Sequence, residues 1–193
     1  MIIGITGGTG SGKTTLLAEL KKLGAEVLDC DAIYHQLLQT DTSLLADIEN
    51  RFPGTVENGV LQRKKLGSIV FSDEKALQDL NKITHTAIHA EVLRRLERKP
   101  ALAAIDAIGL FESGLAGLCD VTVAVIAPAD VRLRRLMERD GISADYAKSR
   151  IDAQPKDDWF REKCNFVLEN SGNIDIFRSK CLAFFKELGI MKA

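Results

Sequence analysis

Gly7-Gly8-Thr9-Gly10-Ser11-Gly12-Lys13-Thr14 is the stretch on which the reading of this chain turns. It fits G-x-x-x-x-G-K-T/S. A β-branched run precedes it at residues 2 to 6 (IIGIT), and residues 13 to 23 (KTTLLAELKKL) follow with apolar side chains at helical spacing before Gly24. Strand, glycine-rich loop and helix are the context this motif needs. The glycines let successive N–H groups turn inward, and the helix N-terminus adds partial positive charge. Residues 7 to 15 therefore predict a cradle for the phosphates of ATP. In that cradle Gly8, Thr9, Gly10, Ser11, Gly12 and Thr15 line the nucleotide, Lys13 reaches the β- and γ-phosphates, and Thr14 ligates Mg²⁺. Backbone geometry alone can explain glycines at a strand-to-helix turn, but not the lysine and hydroxyl residue that complete the motif.

Outward from the loop, short apolar runs at residues 26 to 29, 101 to 107, 120 to 126 and 165 to 168 read as further strands. Helical patterns occupy residues 31 to 39, 42 to 51, 63 to 71, 74 to 98, 129 to 140, 143 to 153 and 174 to 188. Such alternation predicts an α/β fold with a five-stranded parallel sheet covered on both faces. Residues 31–99 are too long for one crossover and predict an inserted helical lobe for the acceptor, over the strand ends where open α/β sheets bind ligands. Residues 129–160 read as a helical lid, and 1–193 as one domain.

The chain has 193 residues, 46% of them hydrophobic and 27% charged, enough for a core without disulfides. A net charge of -1 gives no global positive field for a nucleic-acid backbone or an anionic membrane, and no apolar stretch approaches a span. Cys30, Cys119, Cys164 and Cys181 stand singly, without metal-ligand spacing, as expected of reduced thiols in the cytoplasm. No obligate protein partner is evident.

Asp29-Cys30-Asp31 falls where the second strand gives way to a helix, so a carboxylate there projects toward the γ-phosphate. Phosphoryl transfer to an alcohol needs a group that orients the hydroxyl and accepts its proton, a task for Asp31. Spacing alone leaves open that Asp31 is only a helix N-cap. Asp29 either supports Mg²⁺ through water or fixes the turn, and His35 reads as a surface side chain. Asp106 ends a strand where an acid helping to order Mg²⁺ is often found, and a structural hydrogen bond is the competing account. In 129–154, Arg135, Arg139 and Arg150 are candidates for the transferring phosphoryl group, with Arg135 expected to act in catalysis. Arg132, Arg134 and Glu138 read as a solvated face. His85 and His89 lie one helical turn apart but lack a third metal ligand, and Trp159-Phe160 reads as an aromatic cluster closing the core.

GITGGTGSGKTT followed by Asp29-x-Asp31, the Asn58-Gly-Val-Leu61-Gln-Arg63 run with Val70-Phe71, and Leu80-Asn81-Lys-Ile83-Thr-His85 together resemble dephospho-coenzyme A kinase. The resemblance continues through Leu110-Phe111-Glu112, Arg135, Arg139, Arg150, Gln154 and Asn170-Ser-Gly172, nearly the whole chain in order. It implies transfer of the ATP γ-phosphate to the ribose 3′-hydroxyl of dephospho-coenzyme A. It also implies Asp31 as general base, Arg63, His85 and Glu112 on the acceptor side with Asp29, Arg135 and Arg139 in the segment covering the phosphates, and Asn170 near the adenine. The chain departs from the family pattern at His35, where Arg is usual, at Thr86 for Pro, at Ala107-Ile108-Gly109 for V-P-L, and at Asn165 for Asp. Two other readings are a nucleoside or nucleoside monophosphate kinase of the same fold, and a nucleotide-binding switch. The GTP-reading N-K-x-D motif of many switches is missing.

Overall fold

The computed structural model describes residues 1–191. Its centre is the parallel sheet of β1 (Ile2–Thr6), β2 (Glu26–Asp29), β5 (Ala103–Asp106), β6 (Val121–Ile126) and β7 (Phe166–Glu169), in the order β2-β5-β1-β6-β7. Side chains alternate across it as the two-residue period of a strand requires. Ile3 and Ile5 of β1 enter one apolar cluster with Leu16, Leu20, Phe177 and Phe185, from α1 (Lys13–Lys22) and α9 (Ile174–Glu187). On the other face Leu28 and Ile105 share a cluster with Ile33, Leu44, Ile48 and Val92. These last four come from α2 (Cys30–Thr40), α3 (Thr42–Arg51) and α5 (Glu74–Leu96), so the helical lobe and the sheet share a core. Gly4, mid-strand, leaves room for a neighbour: a Cβ there would lie 2.7 Å from the Cys119 sulfur.

The expected strands and helices are present, their ends displaced by one or two residues, as fraying of terminal turns produces. Four elements were not expected. β3 (Val56–Glu57) and β4 (Val60–Leu61) form a hairpin, and Leu115–Leu118 make a 3₁₀ turn. α8 (Asp157–Lys163) places Phe160 against Ala124 and Ile126, with Trp159 stacked edge-on to Phe160 at 5.1 Å and to Phe111 at 5.5 Å.

Thr86 and Asn165 have local explanations. Thr86 keeps a backbone amide in mid-α5, and its hydroxyl bonds the Lys82 carbonyl at 2.8 Å. Asn165 accepts from the Thr122 amide at 2.8 Å and hydroxyl at 2.9 Å, tying β6 to β7 at the sheet end opposite the loop. No helix among the described residues is long and apolar enough to cross a membrane.

Candidate active site

Parallel strands in register bring their C-terminal ends together. Asp29 pairs with Asp106, and Ile5 lies opposite Asp106, so the loop after β1 opens beside both acids. The loop's sharp path requires φ of 134° at Gly7, 77° at Gly10 and 104° at Gly12, a region L side chains rarely enter. Within it the Ser11 amide donates to the Gly8 carbonyl and the Thr15 amide to the Gly12 carbonyl. The amides of Gly10, Gly12, Lys13 and Thr14 have no acceptor among the described residues, and they open the helix whose dipole favours anions.

One cleft of about 340 Å³ is lined by Thr9, Lys13, Thr14, Asp29, Asp31, Asp106, Arg139 and Arg150, along with Ala107 and Ile108. Lys13 donates to the Gly7 carbonyl at 2.8 Å. Burial lowers its pKa, opposed by the negative charges of Asp106 and Asp31. Burial raises Asp106 to about 6; Lys13 opposes the rise, and Asp29 and Asp31 add to it. One Asp106 oxygen is buried without a partner, so the structural hydrogen bond considered for it is not made by that atom.

The N-cap of α2 is Asp29, whose carboxylate accepts from the Ala32 amide at 3.0 Å. That removes the capping account of Asp31, which sits exposed in the first turn of α2 and faces the cleft. His35, four residues on and thus on the same helix face, meets Arg63 at 3.2 Å; both are exposed. Arg63 opens α4 (Arg63–Val70), so the lobe delivers a cation to the helix that carries Asp31.

The arginines of residues 129 to 154 divide into two groups. At the end of α6 (Ala129–Asp140), Asp140 pairs with Arg139 at 2.6 Å and with Arg150 of α7 (Ala144–Asp152) at 2.7 Å. The two guanidiniums, Arg139 first, hold its carboxyl down at about 2, and this pairing keeps both arginines on the cleft. Arg135 instead grips the outside of the loop, donating to the Gly10 carbonyl at 3.0 Å, the Ser11 carbonyl at 3.1 Å and the Asn170 side chain at 3.1 Å. Asn170 is buried and donates to the Ser11 carbonyl at 2.8 Å. Arg135 and Asn170 line a second cleft of about 530 Å³ with Thr15, Glu138, Gly172 and Ile174, and Thr14 and Arg139 line both this cleft and the first. Arg132 corrects the sequence reading: it is 5% exposed, and its guanidinium turns under the loop, to the Thr9 carbonyl at 2.9 Å. Arg134 and Glu138 are exposed as expected.

A third cleft of about 510 Å³ holds His85 and Glu112 with Gln78, Asn81, Lys82 and His89. Residues 107 to 113 join it to the first cleft, since Ala107 and Ile108 line one and Glu112 and Ser113 the other. Burial lowers the His85 pKa against the pull of Glu112, which favours an uncharged ring facing the groove. At Gly109 a Cβ would meet Glu112 at 3.7 Å and His85 at 3.8 Å, so the missing side chain leaves the floor between them open. Sequence reasoning did not foresee the bracing of the loop by Arg132 and Gln154, nor the anchoring of Arg139 and Arg150 by Asp140.

Comparison with known proteins identifies relatives over most of the chain. A family model described as dephospho-CoA kinase matches residues 1–175. A dephospho-CoA kinase of Syntrophotalea carbinolica is 36% identical over 195 aligned residues, spanning 97% of this chain and 92% of that one. Among solved structures, TT1252 from Thermus thermophilus superposes with a TM-score of 0.82 at 34% identity over 97% of both chains. A dephospho-CoA kinase from Campylobacter jejuni does so with 0.69 at 27% identity over 98% of each.

Proposed function

Because the chain belongs to the dephospho-CoA kinase family, and so phosphorylates the ribose 3′-hydroxyl of dephospho-coenzyme A with ATP in the last step of coenzyme A synthesis, we propose how its residues divide that work. The observation that carries the proposal is the single cleft in which Lys13, Thr14, Asp31, Asp106, Arg139 and Arg150 converge. The open loop amides and Lys13 take the β- and γ-phosphates. Arg139 and Arg150 offset charge on the transferring group, and Asp31 accepts the proton of the attacking hydroxyl. The second cleft is the proposed place for the adenosine, and Arg135 acts by holding the loop beside it rather than at the γ-phosphate. Four free thiols, none held near its thiolate form, suit a reducing cytoplasm.

Mg²⁺ fits this cleft. Among the described residues no three His, Cys, Asp or Glu side chains form a cage. Mg²⁺, however, keeps several waters and takes one or two protein oxygens plus phosphates, and the partnerless Asp106 oxygen and the Thr14 hydroxyl are of that kind. When bound, the ion neutralises phosphate charge. Asp106→Asn is expected to raise the Mg²⁺ concentration for half-maximal rate about tenfold. A second readout needs no turnover. The folded pKa near 6 lies above the ordinary aspartate value, so in metal-free protein the folded state keeps a proton that the unfolded chain has lost. Stability therefore falls as pH rises from about 4 to about 6, and the penalty is complete above that window. In EDTA, Asp106→Asn should melt above wild type at pH 7.5 and lose that advantage at pH 4.5. A lower melting temperature at pH 7.5 would count against the assignment.

The acceptor reading rests on the groove of His85 and Glu112, which joins the cleft through residues 107 to 113. Glu112 is exposed, so Glu112→Ala removes an acceptor for the substrate's hydroxyl or amine groups without hollowing the core. KM for dephospho-coenzyme A should rise about tenfold with KM for ATP unchanged. Steady-state kinetics that moved the ATP constant instead would place the acceptor elsewhere.

A further inference from the structure

The geometry points to Arg132 and Gln154 as positioning residues for ATP: they form a closed latch on Thr9 that holds the phosphate loop in its binding shape and ties it to the lid. Three hydrogen bonds make the triangle. The Thr9 amide donates to Gln154 Oε1 at 2.8 Å, Arg132 Nε donates to the Thr9 carbonyl at 2.9 Å, and Arg132 Nη2 donates to the same Gln154 oxygen at 2.7 Å. Both polar groups of one loop residue are thus held from outside. The Thr9 amide is committed to Gln154, leaving phosphate contacts to the amides from Gly10 onward.

Gly8 supplies an independent observation. It does not have the positive φ that accounts for Gly7, Gly10 and Gly12. Yet a Cβ there would lie 2.3 Å from Arg132 Nη2 and 2.5 Å from Cζ. A side chain at Gly8 would displace the guanidinium, which packs directly against the loop backbone. Arg132 is almost fully buried, with Asp157 the nearby negative charge that offsets its desolvation, and an unpaired guanidinium in such a place is costly. Its planar fork satisfies the Thr9 carbonyl and Gln154 together, which a lysine or an apolar residue cannot do. Gln154 lies two residues beyond the end of α7, which carries Arg150, so a displacement of that segment that moved Gln154 would release the Thr9 amide. The latch thus adds to the bonds that Arg135 makes with the Gly10 and Ser11 carbonyls in joining this segment to the loop.

This inference rests on ATP being held by residues 7 to 15, and calorimetric titration with Mg-ATP in the absence of acceptor tests it directly. Gln154→Met keeps length and bulk but leaves the Thr9 amide without an acceptor. ATP affinity and KM for ATP should weaken about tenfold, KM for dephospho-coenzyme A should stay within about twofold, and melting should shift by under about 3 °C. Gln154→Glu retains an oxygen for both donors and should bring ATP affinity back to within about threefold of wild type. Unchanged ATP affinity in Gln154→Met overturns the latch. So does a loss of melting temperature and both KM values together that Gln154→Glu fails to restore, since that pattern is general destabilisation. Wild type that binds ATP but does not phosphorylate dephospho-coenzyme A would overturn the assigned reaction and leave the latch standing.

Discussion

Asp31→Ala is expected to lower kcat for coenzyme A formation by about 10³-fold, with KM for ATP changed by less than about threefold. The carboxylate lies in the cleft with Lys13 and Thr14 but forms none of the hydrogen bonds that shape it. Because Asp29 caps α2, removing Asp31 leaves the helix start intact, and because Asp31 is exposed, no cavity follows. Melting should therefore stay within about 2 °C of wild type. Asp29→Ala supplies the contrast, losing a cap worth about 1 kcal/mol while its rate falls less. ADP release with dephospho-coenzyme A, the product identified by mass, measures both. A rate for Asp31→Ala within about threefold of wild type would remove it as the proton acceptor.

How much of this was legible in the sequence depended on whether a residue's role is local. The loop, its strand and its helix are written in consecutive residues, and the glycine-lysine-threonine spacing states its chemistry before any fold is known. The sheet followed from short apolar runs between helical periods. The β3–β4 hairpin was missed because two-residue strands carry no alternation. Its turn signal was nevertheless present in Asn58-Gly59, whose φ values of 51° and 75° are those a tight hairpin turn demands. Arg132 was misjudged for the opposite reason. Its helix has Val131 and Leu136 buried and Arg134 exposed, so a charged residue between them reads as solvated. What buries it is a loop 123 positions away in the chain, which no local pattern encodes. The brace that Asn170 provides is equally non-local: its side-chain amide donates to the Ser11 carbonyl and its oxygen accepts from Arg135, and it also lines the second cleft.

Lys13→Met should cost at least about 10³-fold in kcat, because it removes the one lysine of the cleft, aimed where negative charge gathers in the transition state. Methionine fills most of the same volume, which separates the loss of charge from loss of packing. The substitution has a second consequence. Lys13 is the charge that opposes the rise of the Asp106 pKa, so without it that carboxyl moves further above about 6 and is neutral over more of the physiological range. Asp106 is proposed to support Mg²⁺ in its charged form, so the residual activity of Lys13→Met should fall more steeply than that of wild type as pH is lowered from 8 to 6.5. Raising Mg²⁺ should recover part of that extra loss, because metal binding competes with the proton. A residual rate with the wild-type pH profile would mean that Lys13 and Asp106 act independently. The cleft's cation and its buried acid would then be neighbours without being an electrostatic unit.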